Sequence, residues 1–394
     1  MYTGLILQNT IQEYAWGSHT AIPDLLGTPS PSENPQAELW MGAHPKAPSL
    51  VRTDDGLSPL DELIRLEPDA ILGGELSARF DGKLPFLFKV LAAAEPLSIQ
   101  AHPTLEQAGE GYARENNLGI PLDAPNRNYK DDNHKPEILC ALTPFWVLNG
   151  FRKIDRIVEL LQQIGPEELI GEIRTLATEQ DSGGLKRFFS AIMTMDKDRQ
   201  ARAVWQTVAY AAGQSQDDPL WSWIATLDNK YPGDIGVLSP VLLNLLKMEP
   251  GQAMLCEAGQ LHAYLDGLGI ELMANSDNVL RGGLTPKHVD VPELLNTLTF
   301  EKKEVKLYRP DDRGNYPSES DEFLLSVISI DADHPFESAK HRNVEILICT
   351  SGRGAVHGAG TGEIIPFEKG VSFIVSSISP PYRLEGEATL YRAS

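Results

Sequence analysis

Histidines, carboxylates and amides at alternating positions of short extended stretches are the residues of this 394-residue chain best suited to hold a metal ion. Three stretches carry them. In residues 96–103 (PLSIQAHP), Ser98, Gln100 and His102 alternate with apolar neighbours. On a strand they share one face, successive side chains about 6.5–7 Å apart. In residues 131–140 (DDNHKPEILC), Pro136 pushes Lys135 into extended geometry. Lys135 and Glu137 then point one way and His134 the other. Residues 251–290 bring His262, Glu271, Asp277, Arg281 and Lys287 into one Gly-rich segment. Two His and one carboxylate from three separated segments, His102, Glu137 and His262, form an N/O donor set. Such a set suits Zn²⁺ with an open position, and on ligand type it suits Fe(II) equally. Gln100 is a weak ligand on general grounds and reads as a neighbour of the other three. Plainer readings stand beside these: a satisfied polar strand face, a charged loop entering a strand, and turn chemistry at Asp277-Asn278.

The elements that must position these residues are strands. Gly251 is followed by five residues, then Glu257, Ala258, Gly259, two residues, His262, three residues and Asp266. This spacing resembles the second motif of the cupin family, G-x5-P-x-G-x2-H-x3-N, with Glu257 replacing Pro and Asp266 replacing Asn. Physically it describes a strand, a tight turn that needs Gly259, and a returning strand that aims His262 into a barrel. A faded copy begins at Gly370 and places Pro381 where the first has His262. Proline cannot ligate a metal. The expected fold is therefore mainly β with an α-helical domain: two cupin-type jelly-roll β-barrels and an inserted helical domain. Residues 1–150 with 248–308 form the catalytic jelly roll, and residues 309–394 a C-terminal one without a metal site. Between them, residues 151–247 change period. Ile157, Leu160, Leu161 and Ile164 fit one helix, closed by Gly165-Pro166, and residues 185–195, 202–212 and 241–246 read as further helices. Trp205, Trp221 and Trp223 are expected in its core.

A formal charge of −21 argues against nucleic acid or an anionic membrane as partner, and it requires a local basic cluster wherever an anionic substrate binds. No apolar run is long enough for a membrane span. The N-terminus lacks a leader pattern, and Cys140, Cys256 and Cys349 lie far apart in apolar runs. Free buried thiols in the cytoplasm are the expectation, in a monomer whose C-terminal jelly roll covers the first.

Several blocks together resemble the type I mannose-6-phosphate isomerases (phosphomannose isomerases) across nearly the whole chain. They are residues 12–18 (QEYAWGS), 37–49 (AELWMGAHPKAPS), 83–103 (KLPFLFKVLAAAEPLSIQAHP), 133–137 (NHKPE), 144–152 (PFWVLNGFR) and 276–287 (SDNVLRGGLTPK). The resemblance implies one Zn²⁺ held by Gln100, His102, Glu137 and His262, which raises Gln100 to a ligand. It also implies a hexose phosphate substrate and interconversion of mannose 6-phosphate and fructose 6-phosphate. In that setting Arg281 is expected to stabilise an enediolate. Lys135 is expected as a proton shuttle or phosphate anchor, and His134, Asp277 and Glu271 as candidates for ring opening or proton transfer. Ser98, Tyr264 and Lys287 are expected to contact the sugar phosphate. Some relatives carry a Lys shortly after the His-Pro pair; here Thr104-Leu105-Glu106-Gln107 follow. Phosphate contacts then lean on Ser98, Lys135 and Arg281.

Overall fold

The computed structural model of the chain describes residues 5–53, 56–301, 304–358 and 364–394. Its strands form a ten-stranded and a nine-stranded antiparallel sheet among the described residues. The strand His262–Ala274 is the centre of the first sheet. Its opening residues pair with Phe145–Phe151, and its later ones pair with Phe86–Ala93 on one side and Glu137–Ala141 on the other. A bulge between Tyr264 and Asp266 marks the change of partners. Gly267 follows it at φ 138°, where a Cβ would lie 2.6 Å from the Phe145 ring.

Strand alternation decides what faces the barrel interior. In Phe86–Ala93, Phe86, Phe88, Val90 and Ala92 enter an apolar seam with Leu325, Ile346, Ile348 and Ile374 of the C-terminal strands. Lys89, between Phe88 and Val90, therefore points the opposite way, inward with Leu91. Ile138 and Cys140 join the same seam, so Glu137, Leu139 and Ala141 turn inward; Ile270 and Leu272 join it, so Glu271 turns inward. Register completes the placement, setting Glu271 opposite Lys89 and Met273 opposite Glu137. The two sheets thus bury one face of each against the other.

The helical domain is present, with its first helix at Ile154–Ile164 burying Ile157, Leu160, Leu161 and Ile164. Gly165 caps it in the left-handed region, its N–H bonded to the Leu161 carbonyl. Ser182–Thr194 and Lys197–Ala212 match two further expected helices. The expected helix over 241–246 is corrected. Ser239–Leu242 is a single helical turn, and Leu243–Met248 is a strand paired with Phe145–Phe151. A short apolar run has no period of its own, so the open edge of the sheet decides it. Trp221 is buried as expected and Trp223 packs against the core, but Trp205 is 70% exposed.

Sheet membership crosses between the two halves of the chain. Leu5–Gln8 pairs with Ser372–Val375 and with Leu50–Thr53, which pairs in turn with Gly56–Pro59. These three strands extend the C-terminal sheet rather than the catalytic one. The reason is edge protection, because Ser372–Val375 would otherwise present unpaired backbone groups to water.

Candidate metal centre

Three elements deliver the candidate metal ligands to one point. Ile99–Ala101 carries Gln100 and runs into His102, Glu137 opens the strand Glu137–Ala141, and His262 opens the strand His262–Ala274. Gln100 lies directly opposite His262 in the sheet, and Arg281, on Leu280–Gly283, lies opposite Gln100. The turn before His262 needs Gly259, which holds φ 74° and whose N–H donates to the His102 carbonyl. Sequence spacing and sheet register therefore agree on His262.

The donor atoms of His102, Glu137 and His262 all lie within 4.8 Å of one another, and all three residues are buried. His102 Nε2 is 3.3 Å from Glu137 Oε1, and His262 Nε2 is 3.5 Å from Glu137 Oε2. Each imidazole is held from behind. His102 Nδ1 meets the Asn278 carbonyl at 2.8 Å, and His262 Nδ1 meets the Gln260 carbonyl at 3.1 Å. A carbonyl can only accept, so both rings donate through Nδ1 and turn Nε2 inward. His102 Nε2 is buried without a hydrogen-bond partner, an orphaned acceptor of the kind a metal ion satisfies. Burial, with His102 beside it, pushes the His262 imidazole down to about 4. Burial pushes the Glu137 carboxyl up, but Lys135, His102 and His262 outweigh it and hold the group well below the ordinary range. A neutral imidazole beside an ionised carboxylate is what a divalent metal takes. Gln100 Nε2 donates to Ser98 Oγ at 3.3 Å, which leaves the amide oxygen as its remaining donor to a metal. The residues fit the ion.

The cavity around this point has a volume of about 60 Å³. Ser98, Lys135, Tyr264 and Glu271 of the expected site all line it. Lys135 Nζ lies 3.0 Å from Glu137 Oε1, and the Tyr264 hydroxyl donates to Glu137 Oε2 at 3.3 Å. Arg281 is half-buried, and burial alone lowers its guanidinium. It makes no ion pair among the described residues, so a cation stands beside Gln100 with its charge uncommitted.

Three expected residues are placed elsewhere. His134 points away from Lys135, as strand alternation predicts, and its Nε2 meets Glu322 Oε1 at 2.5 Å. Asp277 pairs with Lys46 at 2.7 Å and faces a larger neighbouring cleft with His44 and Lys130. Lys287 is exposed on the loop after Leu280–Gly283 and lines neither space. The loop's own turn hydrogen bond, from Lys287 N to Thr285 Oγ1, carries it outward.

Two residues of the cavity wall escaped the sequence reading. Lys89 Nζ sits 2.9 Å from Glu271 Oε2 and 3.7 Å from Glu38 Oε2, and it lies over the Trp40 ring. Glu38 in turn accepts a 2.5 Å bond from Trp40 Nε1. Burial alone would discharge this lysine, yet Glu271 and Glu38 override burial and raise its pKa. The signal was present in FLFKVLAA, where one charged residue interrupts a strand whose every residue is buried. A lone Lys in such a run needs a buried acid as partner.

Comparison with known proteins agrees with the geometry. The sequence profile for the phosphomannose isomerase type I catalytic domain matches residues 5–154, and that for its helical insertion domain matches residues 160–243. The chain is 40% identical over 392 residues to the mannose-6-phosphate isomerase of Escherichia coli (strain K12), covering 98% of each chain. It is 37% identical over 340 residues to the mannose-6-phosphate isomerase of Homo sapiens, covering 80% of this chain and 76% of that one. A zinc-bound mannose 6-phosphate isomerase superposes with a TM-score of 0.92 at 39% identity, covering 99% of each chain. A variant of phosphomannose isomerase from Salmonella typhimurium superposes with a TM-score of 0.93 at 38% identity, again over 99% of each chain.

Proposed function

The chain belongs to the type I phosphomannose isomerase family, and from that premise we propose a zinc-dependent aldose–ketose isomerase interconverting mannose 6-phosphate and fructose 6-phosphate through a cis-enediol. Mannose-6-phosphate isomerase is the activity named for relatives that match end to end. The observation that carries the reading is the convergence of His102, Glu137 and His262, each imidazole fixed from behind by a backbone carbonyl. Gln100, His102, Glu137 and His262 would hold the zinc ion. Bound there, zinc supplies Lewis-acid stabilisation to negative charge developing on the sugar oxygens.

The remaining work falls to the chain's own side chains. From the aldose, C2 loses a proton, O1 gains one, O2 loses one and C1 receives one. Glu271 is the base we assign to C2. It faces the cavity, and burial pushes its carboxyl up against the opposing pull of Lys89, toward the range where a carboxylate works as a base near neutral pH. Lys89, 2.9 Å away, holds that carboxylate in place. Arg281, opposite Gln100 in the sheet and with its charge uncommitted, is the cation we assign to the enediolate. Lys135 and Ser98 take the phosphate. His134 and Asp277, engaged by Glu322 and Lys46, take no part in this scheme.

Charge supports the assignment. The cavity wall carries three carboxylates, Glu38, Glu137 and Glu271, against two ammonium groups, Lys89 and Lys135, a balance of −1. A dication turns it to +1, and Arg281, opposite Gln100 in the sheet but outside this lining, adds a positive charge nearby. Only a loaded site offers a sugar phosphate the basic cluster that a chain of net charge −21 otherwise lacks. Among the described residues no helix is long and apolar enough to cross a membrane. The three buried free cysteines suit the cytoplasm, and the apolar seam joining both jelly rolls within one chain suits a monomer.

A coupled assay tests the proposal. Mannose 6-phosphate should yield fructose 6-phosphate, the turnover should vanish with a chelator, and zinc should restore it. Turnover that survives complete metal removal, or binding without turnover, would overturn it.

A further inference from the structure

Asn278 sits between Asp277 and Arg281 in a segment where turn chemistry would explain it. The structure shows more than a turn. Its side chain is wholly buried, and its amide is saturated. Oδ1 accepts from the backbone N–H groups of Lys130 at 2.6 Å and Asp131 at 3.3 Å. Nδ2 donates to the carbonyls of Asp131 at 2.8 Å and Asn133 at 2.9 Å, and to Asp131 Oδ1 at 3.1 Å. An amide has two donors and two acceptor sites, so nothing is left over. The backbone of the same residue accepts from His102 Nδ1 at 2.8 Å.

One residue therefore touches both arms of the metal centre. Its carbonyl sets the tautomer and aim of His102. Its amide pins residues 130–133, and the chain leaves Asn133 directly into Lys135 and Glu137. The Asp131 carboxylate tightens the same knot, accepting from the Ser276 hydroxyl at 2.7 Å and from Asp277 N at 2.8 Å. We infer that Asn278 is a positioning residue that sets the metal affinity of the site by holding His102 and the approach to Glu137 in one register. This rests on the reading of His102 and Glu137 as metal ligands. Partners behind a ligating histidine alter metal affinity about 10–100-fold when removed.

The test is zinc affinity of the full chain by competition with a chromophoric chelator, alongside ¹⁵N-histidine spectra of the metal-free protein. Asn278→Asp keeps the shape and the acceptor but turns the donor edge into a carboxylate facing Asp131. The zinc Kd should rise about 10–100-fold, and the His102 ring signals should lose their single-tautomer signature. Ser276→Ala loosens the same knot without adding charge and should raise the zinc Kd by a smaller factor, which keeps the test alive should Asn278→Asp not fold. His102→Ala separates the two readings. If it still binds zinc at wild-type affinity, the metal-ligand reading falls. If it loses zinc while Asn278→Asp and Ser276→Ala keep the wild-type Kd and His102 spectrum, Asn278 is only structural and the inference is overturned.

Discussion

Lys89 stands among Glu271, Glu38 and the Trp40 face with its side chain only 7% exposed. Removing one member of a buried ion pair leaves the other charge without a partner, a loss of about 3–5 kcal/mol. Lys89→Met should accordingly lower unfolding stability by about that amount, measured by urea titration, and should also cut turnover, because Glu271 loses the group that fixes it. Unchanged stability would mean that the wall does not depend on this charge. Arg281 has the opposite character, because its charge meets no carboxylate among the described residues. Arg281→Ala should lower kcat by about 10²–10³ with metal content by elemental analysis intact. Near-wild-type turnover would remove Arg281 from the chemistry.

At the scale of elements, the site depends on the strand His262–Ala274 and on the turn that launches it. Gly259 holds φ 74°, and a Cβ there would lie 2.9 Å from the Thr297 carbonyl oxygen. Gly259→Ala meets both a left-handed backbone and a backbone contact that cannot move aside cheaply. A cost of roughly 1–3 kcal/mol is expected, read by thermal unfolding, with weaker zinc binding because His262 lies three residues on. Full stability and full zinc affinity together would show that the turn tolerates a side chain. The sequence displayed this element well, since the Gly-and-His spacing and the period-2 alternation are local. It did not display Leu243–Met248, whose strand state comes from pairing with Phe145–Phe151.

Across the whole molecule, the C-terminal jelly roll reaches back to the catalytic one through Glu322 and His134. Burial raises the Glu322 carboxyl, but bonds from His134 and Ser320 outweigh it and bring the group down to about 2 from 4.5. The unfolded chain therefore binds this proton more readily than the folded one. The contribution is present above the ordinary glutamate range and is lost as pH falls through about 2. Glu322→Gln removes it, so the wild type should have the higher Tm at neutral pH. The difference should shrink steadily as pH falls below about 4. A Tm difference independent of pH would rule out this carboxylate as its source.

By itself the sequence brought forward His102, Glu137 and His262 as candidate ligands and determined the class of fold. Alternation in residues 96–103 and 135–137, the cupin-like spacing around His262, and the helical period beginning near Ile157 are written along the chain. The rank of Gln100 came from resemblance, and the structure sets it opposite His262. Tertiary structure alone decided which charges meet. Lys89 and Glu271 are 182 residues apart, and their pairing follows from register between two strands. The same nonlocal packing turned His134 toward Glu322, gave Asp277 to Lys46, left Lys287 in solvent and drew Leu5–Gln8 into the C-terminal sheet. Strand periodicity acts between neighbours in sequence, so it can be read there. Ion pairing and edge pairing act through space, between residues that only the folded chain brings together.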